Sequence, residues 1–266
     1  MGIGEFIVSV VITVKNEGKN LPQLMDALTQ EKGEFEIIIV DSNSNDETKS
    51  IMERICKENT NIKYIRQNCS RGQGRNIGVS ASQGKYILFT DGDALPDDDW
   101  VRRMASVLDE FDLVAGKTVS MEGRGSSNLP RVSLYFKGFE ITLPSMNLGI
   151  RKSLFERLGG FDESFVTSED IDLNLRAIQN GARWTICEEC IVRHRSRNGI
   201  RGVIKQAFWN GYGRKQFRSK NRQIWEAVVK GKLTAHIRSP ILILRNIAGL
   251  SGYIYCTFRK IDFSKR

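Results

Sequence analysis

Asp91 and Asp93 flank Gly92 directly after the apolar run Tyr86-Ile87-Leu88-Phe89-Thr90. Residues i and i+2 of an extended chain point to the same side, and a glycine between them lets a ligand approach the backbone. Two carboxylates facing one point suit a hard divalent cation, Mg2+ or Mn2+. Such a cation keeps positions open for phosphate oxygens and neutralises charge on a departing diphosphate. An acidic turn is the other use of Asp-Gly-Asp, and Asp97-Asp98-Asp99 follows closely. Polar residues also crowd the ends of earlier apolar runs: Thr13, Lys15, Asn16 and Glu17 after the first, and Asp41 after the second. Ligands of open α/β sheets bind outside the carboxyl ends of the strands. One acid there can be a turn former or helix cap, but three such ends in one half-sheet make a site.

Two helix starts add candidates. Arg71-Gly72-Gln73-Gly74-Arg75-Asn76-Ile77-Gly78 places Arg71 and Arg75 where an anionic group could be held. Ile77 stands where a dinucleotide-binding fingerprint needs its third glycine, and the segment follows a third strand, which disfavours a dehydrogenase. Glu169 and Asp170 open an amphipathic stretch with apolar Ile171, Leu173, Leu175 and Ile178. Acids in a first helical turn are favoured in their ionised form by the helix dipole. His194 is one of two histidines. Cys187 and Cys190 form a single Cys-x-x-Cys without the further ligands of a closed zinc site, and read as an ordinary strand-turn-strand. Five scattered cysteines do not suggest a disulfide framework, so reduced thiols are expected.

The elements that position these residues alternate. Strands are expected near 6–14, 36–41, 62–66 and 85–90, with helices near 18–31, 45–58 and 72–82 between them. That alternation implies a mostly parallel sheet of stacked βα units. After Pro96 the pattern predicts a helix near 97–110, a strand near 112–119, a glycine- and serine-rich loop at 122–128 and a strand around 145–150. A helix at 169–179, short strands at 183–187 and 190–194, and helices from 199 onward complete it, with the sheet becoming mixed in this half.

The net charge of +9 is unevenly spread. Residues 191–266 hold 18 Lys and Arg against Glu226 and Asp262, whereas residues 1–190 hold 22 against 29 acids. The basic part implies an anionic partner. Phe208, Trp209, Tyr212 and Phe217 interleave with its cations, which favours a membrane surface over nucleic acid. The stretch 239–258 is long enough to span a bilayer. Arg245, Asn246, Gly249, Gly252 and Pro240 disfavour central insertion, so a helix lying in the interface is expected. The N-terminus runs directly into a strand-like segment without a signal-peptide pattern, giving a cytoplasmic expectation, peripheral on the cytoplasmic face of a membrane.

Taken together, these pieces resemble glycosyltransferase family 2, the inverting GT-A enzymes, from about Val8 to His194. Val10 to Glu17 looks like the family's opening strand and nucleotide loop, and Ile39-Val40-Asp41-Ser42 like the segment whose acid contacts the donor base. Arg71 to Gly78, with Arg75 and Asn76, resembles the helix entry beside the nucleotide. Asp91-Gly92-Asp93 matches the family's DXD acids. Asn147, in Met146 to Arg151, followed by Gly159-Gly160-Phe161-Asp162-Glu163, resembles the segment flanking the sugar, and Ser168-Glu169-Asp170 resembles the catalytic-base motif. The resemblance implies Asp170 as general base, Glu169 positioning the acceptor, and His194 as a third metal ligand. It implies a GT-A domain over 1–198 and a basic helical extension over 199–266. The implied reaction moves a sugar from a nucleotide-diphosphate donor, UDP-sugar first, to a hydroxyl of a lipid-linked or polysaccharide acceptor. A polyprenyl-phosphate acceptor is the alternative. A sugar-phosphate nucleotidyltransferase ranks lower, because Val14-Lys15-Asn16-Glu17 stands where that class has a glycine-rich signature.

Overall fold

The computed structural model describes residues 7–121, 133–195, 199–230 and 240–259. The loop expected at 122–128 lies outside them, as do Arg197, Arg238 and Lys260. The chain begins β1 (Val8–Val14), α1 (Leu21–Gln30), β2 (Phe35–Asp41), α2 (Thr48–Glu58), β3 (Ile62–Arg66) and α3 (Arg71–Ser80). It continues with β4 (Tyr86–Asp91), β5 (Ala94–Pro96), α4 (Trp100–Leu108), β6 (Leu113–Ser120), β7 (Leu134–Phe136) and β8 (Phe139–Glu140). Then come β9 (Leu148–Arg151), α5 (Lys152–Arg157), α6 (Glu169–Gln179), β10 (Trp184–His194), α7 (Ile200–Lys220), β11 (Val229–Lys230) and α8 (Pro240–Phe258).

These elements form two compact units. The first comprises Met1–Met121, Pro144–Phe161 and Gln179–Arg195; the second comprises Glu122–Leu143, Asp162–Ile178 and Ser196–Arg266. Among the described residues the first unit holds an eight-stranded sheet in the order β3-β2-β1-β4-β9-β6-β10-β5. β1 lies parallel to β2 and β4, and β2 to β3, while β9 runs antiparallel to both β4 and β6. The expected mostly parallel sheet with a mixed second half is what forms. Every residue of β2 is buried, as a strand covered on both faces must be. Of the two carboxylates in that run, Glu36 accepts from Ser9 Oγ at 2.7 Å and from Lys63 Nζ at 3.0 Å, and Asp41 ends the strand.

The strands expected at 183–187 and 190–194 are one strand, β10, with a bulge. Cys187 lies opposite Gly116 and Ile191 opposite its neighbour Lys117, so the residues between loop out of register. The loop brings the Cα atoms of Cys187 and Cys190 to 5.3 Å, and the two are joined as a disulfide. This corrects the expectation of reduced thiols for that pair; Cys56, Cys69 and Cys256 remain thiols.

In the second unit α7 and α8 pack backbone to backbone. A Cβ on Gly211 would collide with the carbonyl of Gly249, and one on Gly252 with that of Phe208. Part of the basic run is internal. Lys220 Nζ lies 2.5 Å from Asp162 Oδ2 and 2.7 Å from Asp172 Oδ1, and Arg218 Nη1 donates to the hydroxyl of Tyr253 at 3.1 Å. Gln216, buried in α7, donates to Ser164 O and accepts from Val166 N. α7 therefore braces the 162–168 segment that leads into α6.

Candidate active site

The parallel registers of the first unit bring three strand ends together. Thr13 lies opposite Asp91 of β4, and Val14 opposite Asp41 of β2. The loops leaving β1 and β2 are then tied to each other. Asn16 N donates to Ser44 Oγ, Glu17 N to Thr48 Oγ1, Gly18 N to Asp46 Oδ2, and Asn45 N to Asn16 Oδ1, all at 2.8–3.0 Å. Asn16 adopts φ 59, a left-handed conformation that asparagine tolerates. Asp41 organises this loop from within. It is 0% exposed, accepts from the backbone and hydroxyl of Ser44 and from the Tyr64 hydroxyl, and lies 3.6 Å from Arg66 Nε. Burial, with the Asp41 carboxylate adding to it, pushes the Tyr64 phenol well above its ordinary range.

α3 is set against β1 by its glycines. A Cβ on Gly74 would come within 2.9 Å of Thr13 Cγ2, and one on Gly78 would overlap Val11 Cγ1. Ser70 and Gln73 form a reciprocal capping box at its start. The close fit carries Arg75, 1% exposed, to Asp91, with Nη2 to Oδ1 at 2.8 Å, while its guanidinium lies 5.4 Å from the Phe161 ring centroid. Asn76 clamps Phe161, donating to its carbonyl at 2.9 Å and accepting from its amide at 2.8 Å. Arg71 is exposed at the helix start.

Gly92 is required where it stands, because a Cβ there would meet Val14 Cγ1 at 2.8 Å and Glu17 Cγ at 2.9 Å. Burial raises the pKa of Glu17. A hydrogen bond from Asn20 opposes the rise, and the like charges of Asp93, Asp91 and Asp46 add to it. Beyond Gly92, Ala94 pairs with His194 across β5 and β10, and Arg195 N donates to Asp93 O at 3.1 Å. His194 Nδ1 is buried and has no hydrogen-bond partner among the described residues. No three His, Cys, Asp or Glu side chains among the described residues form a closed metal cluster. The donor set, two carboxylates with Glu17 crowding them and an orphaned imidazole nitrogen nearby in sequence pairing, fits a hard cation that takes its remaining oxygens from phosphate and water.

The profile of glycosyl transferase family 2 matches residues 9–159, more than half of the chain. The chain belongs to glycosyl transferase family 2. Glycosyltransferase AglE of Haloferax volcanii is 27% identical to it over 224 residues, spanning 79% of this chain and 73% of AglE. The poly(ribitol-phosphate) beta-N-acetylglucosaminyltransferase TarS of Staphylococcus aureus is 25% identical over 194 residues, and this chain spans 34% of its length. A TarS fragment in complex with UDP-GlcNAc superposes with a TM-score of 0.62 at 19% identity, over 92% of this chain and 81% of the fragment. Mannosyltransferase PcManGT from Pyrobaculum calidifontis, in complex with GDP-Man and Mn2+, gives 0.67 at 18% identity, over 94% and 72%. These likenesses give this family 2 glycosyltransferase its GT-A fold.

Within that fold the first unit brings Thr13, Asn16, Glu17, Asp41, Arg75, Gly92 and Asp91 to one end of the sheet, with the exposed Lys15 on the same loop. Asn147 is held within the first unit. It is 1% exposed, donates to the carbonyls of Lys117 and Cys190, and accepts from Trp100 Nε1. Its amide ties β6, β10 and α4 together and has its donors and acceptor engaged inside the protein. In the second unit Glu169 and Asp170 open α6 as expected, after Ser168 at φ 69. Sequence reasoning missed Asp172 and the cluster it forms with Asp162 and Lys220, having read Asp162 only as part of the segment flanking the sugar and Lys220 only as one cation of the basic run. Pattern alone assigns a lysine in a basic run to solvent, and nothing local pairs it with two distant acids.

Proposed function

We propose that this family 2 glycosyltransferase is an inverting, metal-assisted enzyme that moves a sugar from a nucleotide-diphosphate donor to an acceptor hydroxyl. The observation that carries this reading is the carboxylate crowd at the end of β4, where Asp91, Asp93 and Glu17 interact beside the tied loops of β1 and β2. Asp41 shapes the nucleotide loop from below, and residues 13–17 contact the nucleotide. Asp91, oriented by Arg75, and Asp93 would hold the cation, with His194 as a third ligand. Bound Mg2+ or Mn2+ supplies positive charge to the departing diphosphate. Asp170 accepts the proton of the acceptor hydroxyl as that oxygen bonds to the anomeric carbon, and the bond from that carbon to the diphosphate oxygen breaks with its electron pair leaving on the nucleotide. The first helical turn of α6 favours the ionised carboxylate such a base needs. UDP-sugar is the favoured donor, supported by TarS, whose solved complex contains UDP-GlcNAc; PcManGT, solved with GDP-Man, makes a GDP-sugar the next. The acceptor is a lipid-linked or glycan hydroxyl.

A panel of nucleotide sugars, read by thermal stabilisation and by hydrolysis with and without Mg2+, Mn2+ and EDTA, tests the reading. Stabilisation by one donor and hydrolysis abolished by EDTA are expected. Asp93→Asn should lose hydrolysis with its fold intact, and full activity in EDTA would remove the cation from the mechanism. Asp170→Asn should keep donor binding and lose transfer to a hydroxyl by about 10²-fold. A small effect of that substitution would identify an acceptor already ionised, such as a polyprenyl phosphate.

A further inference from the structure

α8 has one face occupied and one face bare. Ala248, Gly252 and Cys256 are buried, and Gly252 and Gly249 meet the backbone of α7. Arg245 is partly buried and shares that side at helical spacing. Of the residues that disfavour insertion when read along the sequence, Arg245, Gly249 and Gly252 sit on the inner face, while Asn246 and Pro240 are exposed. The opposite face carries Ile243, Ile247, Leu250, Ile254 and Phe258, one continuous stripe at the i, i+4, i+7, i+11, i+15 spacing, flanked by Leu244 and Tyr255. All seven are exposed, Leu250 at 61% and Phe258 at 83%. From Ile243 to Phe258 the stripe runs about 22 Å along the helix. That is a large apolar ridge to leave in water.

We propose that this stripe seats α8 in the plane of an anionic lipid bilayer. Charge selects the occupant. Lys230, Lys232 and Arg238 precede the helix, and Arg259, Lys260, Lys265 and Arg266 follow it, against the single acid Asp262. A second copy of the chain would add the same excess of cations and no matching acids, whereas anionic headgroups would neutralise it. Exposed Trp209 on α7 stands in an aromatic group with Phe208, Tyr212 and Tyr255, the residue types that favour the boundary between headgroups and acyl chains. A nucleic acid would use the cations and leave the stripe without a partner. The proposal concerns the second unit alone and is independent of the donor chemistry.

The 266-residue chain should cosediment with vesicles of phosphatidylcholine and phosphatidylglycerol, less with phosphatidylcholine alone, and less as salt rises. Leu250→Glu with Ile254→Glu should lower partitioning by about tenfold or more, with far-UV circular dichroism and nucleotide-sugar stabilisation unchanged. Should that double variant fail to fold, Phe258→Trp supplies a second reading: its added fluorescence should be quenched by brominated anionic lipid. The proposal is overturned if the parent ignores anionic vesicles, if the folded glutamate variant binds them as the parent does, or if quenching of the Phe258→Trp variant equals that of the parent. It is also overturned if the parent is a dimer that the glutamates split without any vesicle binding, or if polyanion binding persists where vesicle binding is absent.

Discussion

Asp91 and Asp93 carry the same side chain two residues apart, and their neighbours divide their work. Asp91 is held by a buried guanidinium at 2.8 Å, which fixes its direction. Asp93 belongs to the strand edge that pairs toward His194. Breaking a buried pair from the arginine side strands only a carboxylate that keeps some solvent, so Arg75→Met should destabilise by about 2 kcal/mol, below the full penalty for a dry ion. Urea unfolding would measure it, together with weakened donor-induced stabilisation; unchanged donor response would confine Arg75 to the fold. Glu17 gives a prediction with a definite sign. Its folded pKa is raised by burial first and then by its acidic neighbours. The charged form is thus disfavoured in the folded state, a penalty absent below the unfolded pKa and growing as pH rises through the folded one. Glu17→Gln should therefore stabilise the metal-free protein at neutral pH, leave it unchanged near pH 3, and reduce the melting shift produced by Mn2+ with nucleotide. Equal effects at both pH values would contradict this electrostatic account.

At the scale of elements, α3 shows what a glycine pattern can mean. Gly74 and Gly78 look like a phosphate-binding loop in sequence, but their spacing places both against β1, and close helix-strand packing is their use. Gly78→Ala should cost about 1–3 kcal/mol, since the new Cβ overlaps Val11 on a central strand that cannot yield. A melting shift near zero would mean that α3 can lift from β1. The alternation of βα units was legible because each is long and periodic. The acids at the strand ends were legible because a parallel sheet gathers such ends on one side. β5, β7, β8 and α5 span two to six residues each, too short for a period. The single bulged β10 was read as two strands because Glu188 and Glu189, two of the three residues out of register, are polar and turn-like in isolation. The internal hydrogen bonds of Asn147 were not legible for a related reason. Its role depends on β9 inserting between β4 and β6, a neighbour relation no local pattern encodes.

Over the whole molecule, the contrast between an acidic first part and a basic last part reads as a surface property, yet some of those charges are structural. Lys220 lies between Asp162 and Asp172, and Arg176 Nε lies 2.7 Å from Asp172 Oδ2. Burial alone would raise the Asp162 pKa, but hydrogen bonds from Lys220 and from the side chain and backbone of Ser164, with the lysine charge, draw it down to about 2. A carboxylate whose folded pKa is depressed adds stability that is present above its unfolded value of 3.8 and disappears as pH falls through 2. The window is worth roughly 2 kcal/mol. Glu36 of the first unit is lowered in the same sense: burial opposes the change, but the Gln83 amide, Ser9 and Lys63 outweigh it. Acid unfolding should therefore begin below about pH 4 and involve both units. Lys220→Met separates their shares, because it removes the cation that holds Asp162 low and leaves Glu36 untouched. The variant should be less stable at pH 6, and its stability should fall less steeply between pH 5 and pH 2 than the parent's. Amide hydrogen exchange can read α6 and α7 apart from β1 and β2, with the flattening confined to the former pair. Parallel pH curves for parent and variant would show that Lys220 packs without governing the titration of Asp162.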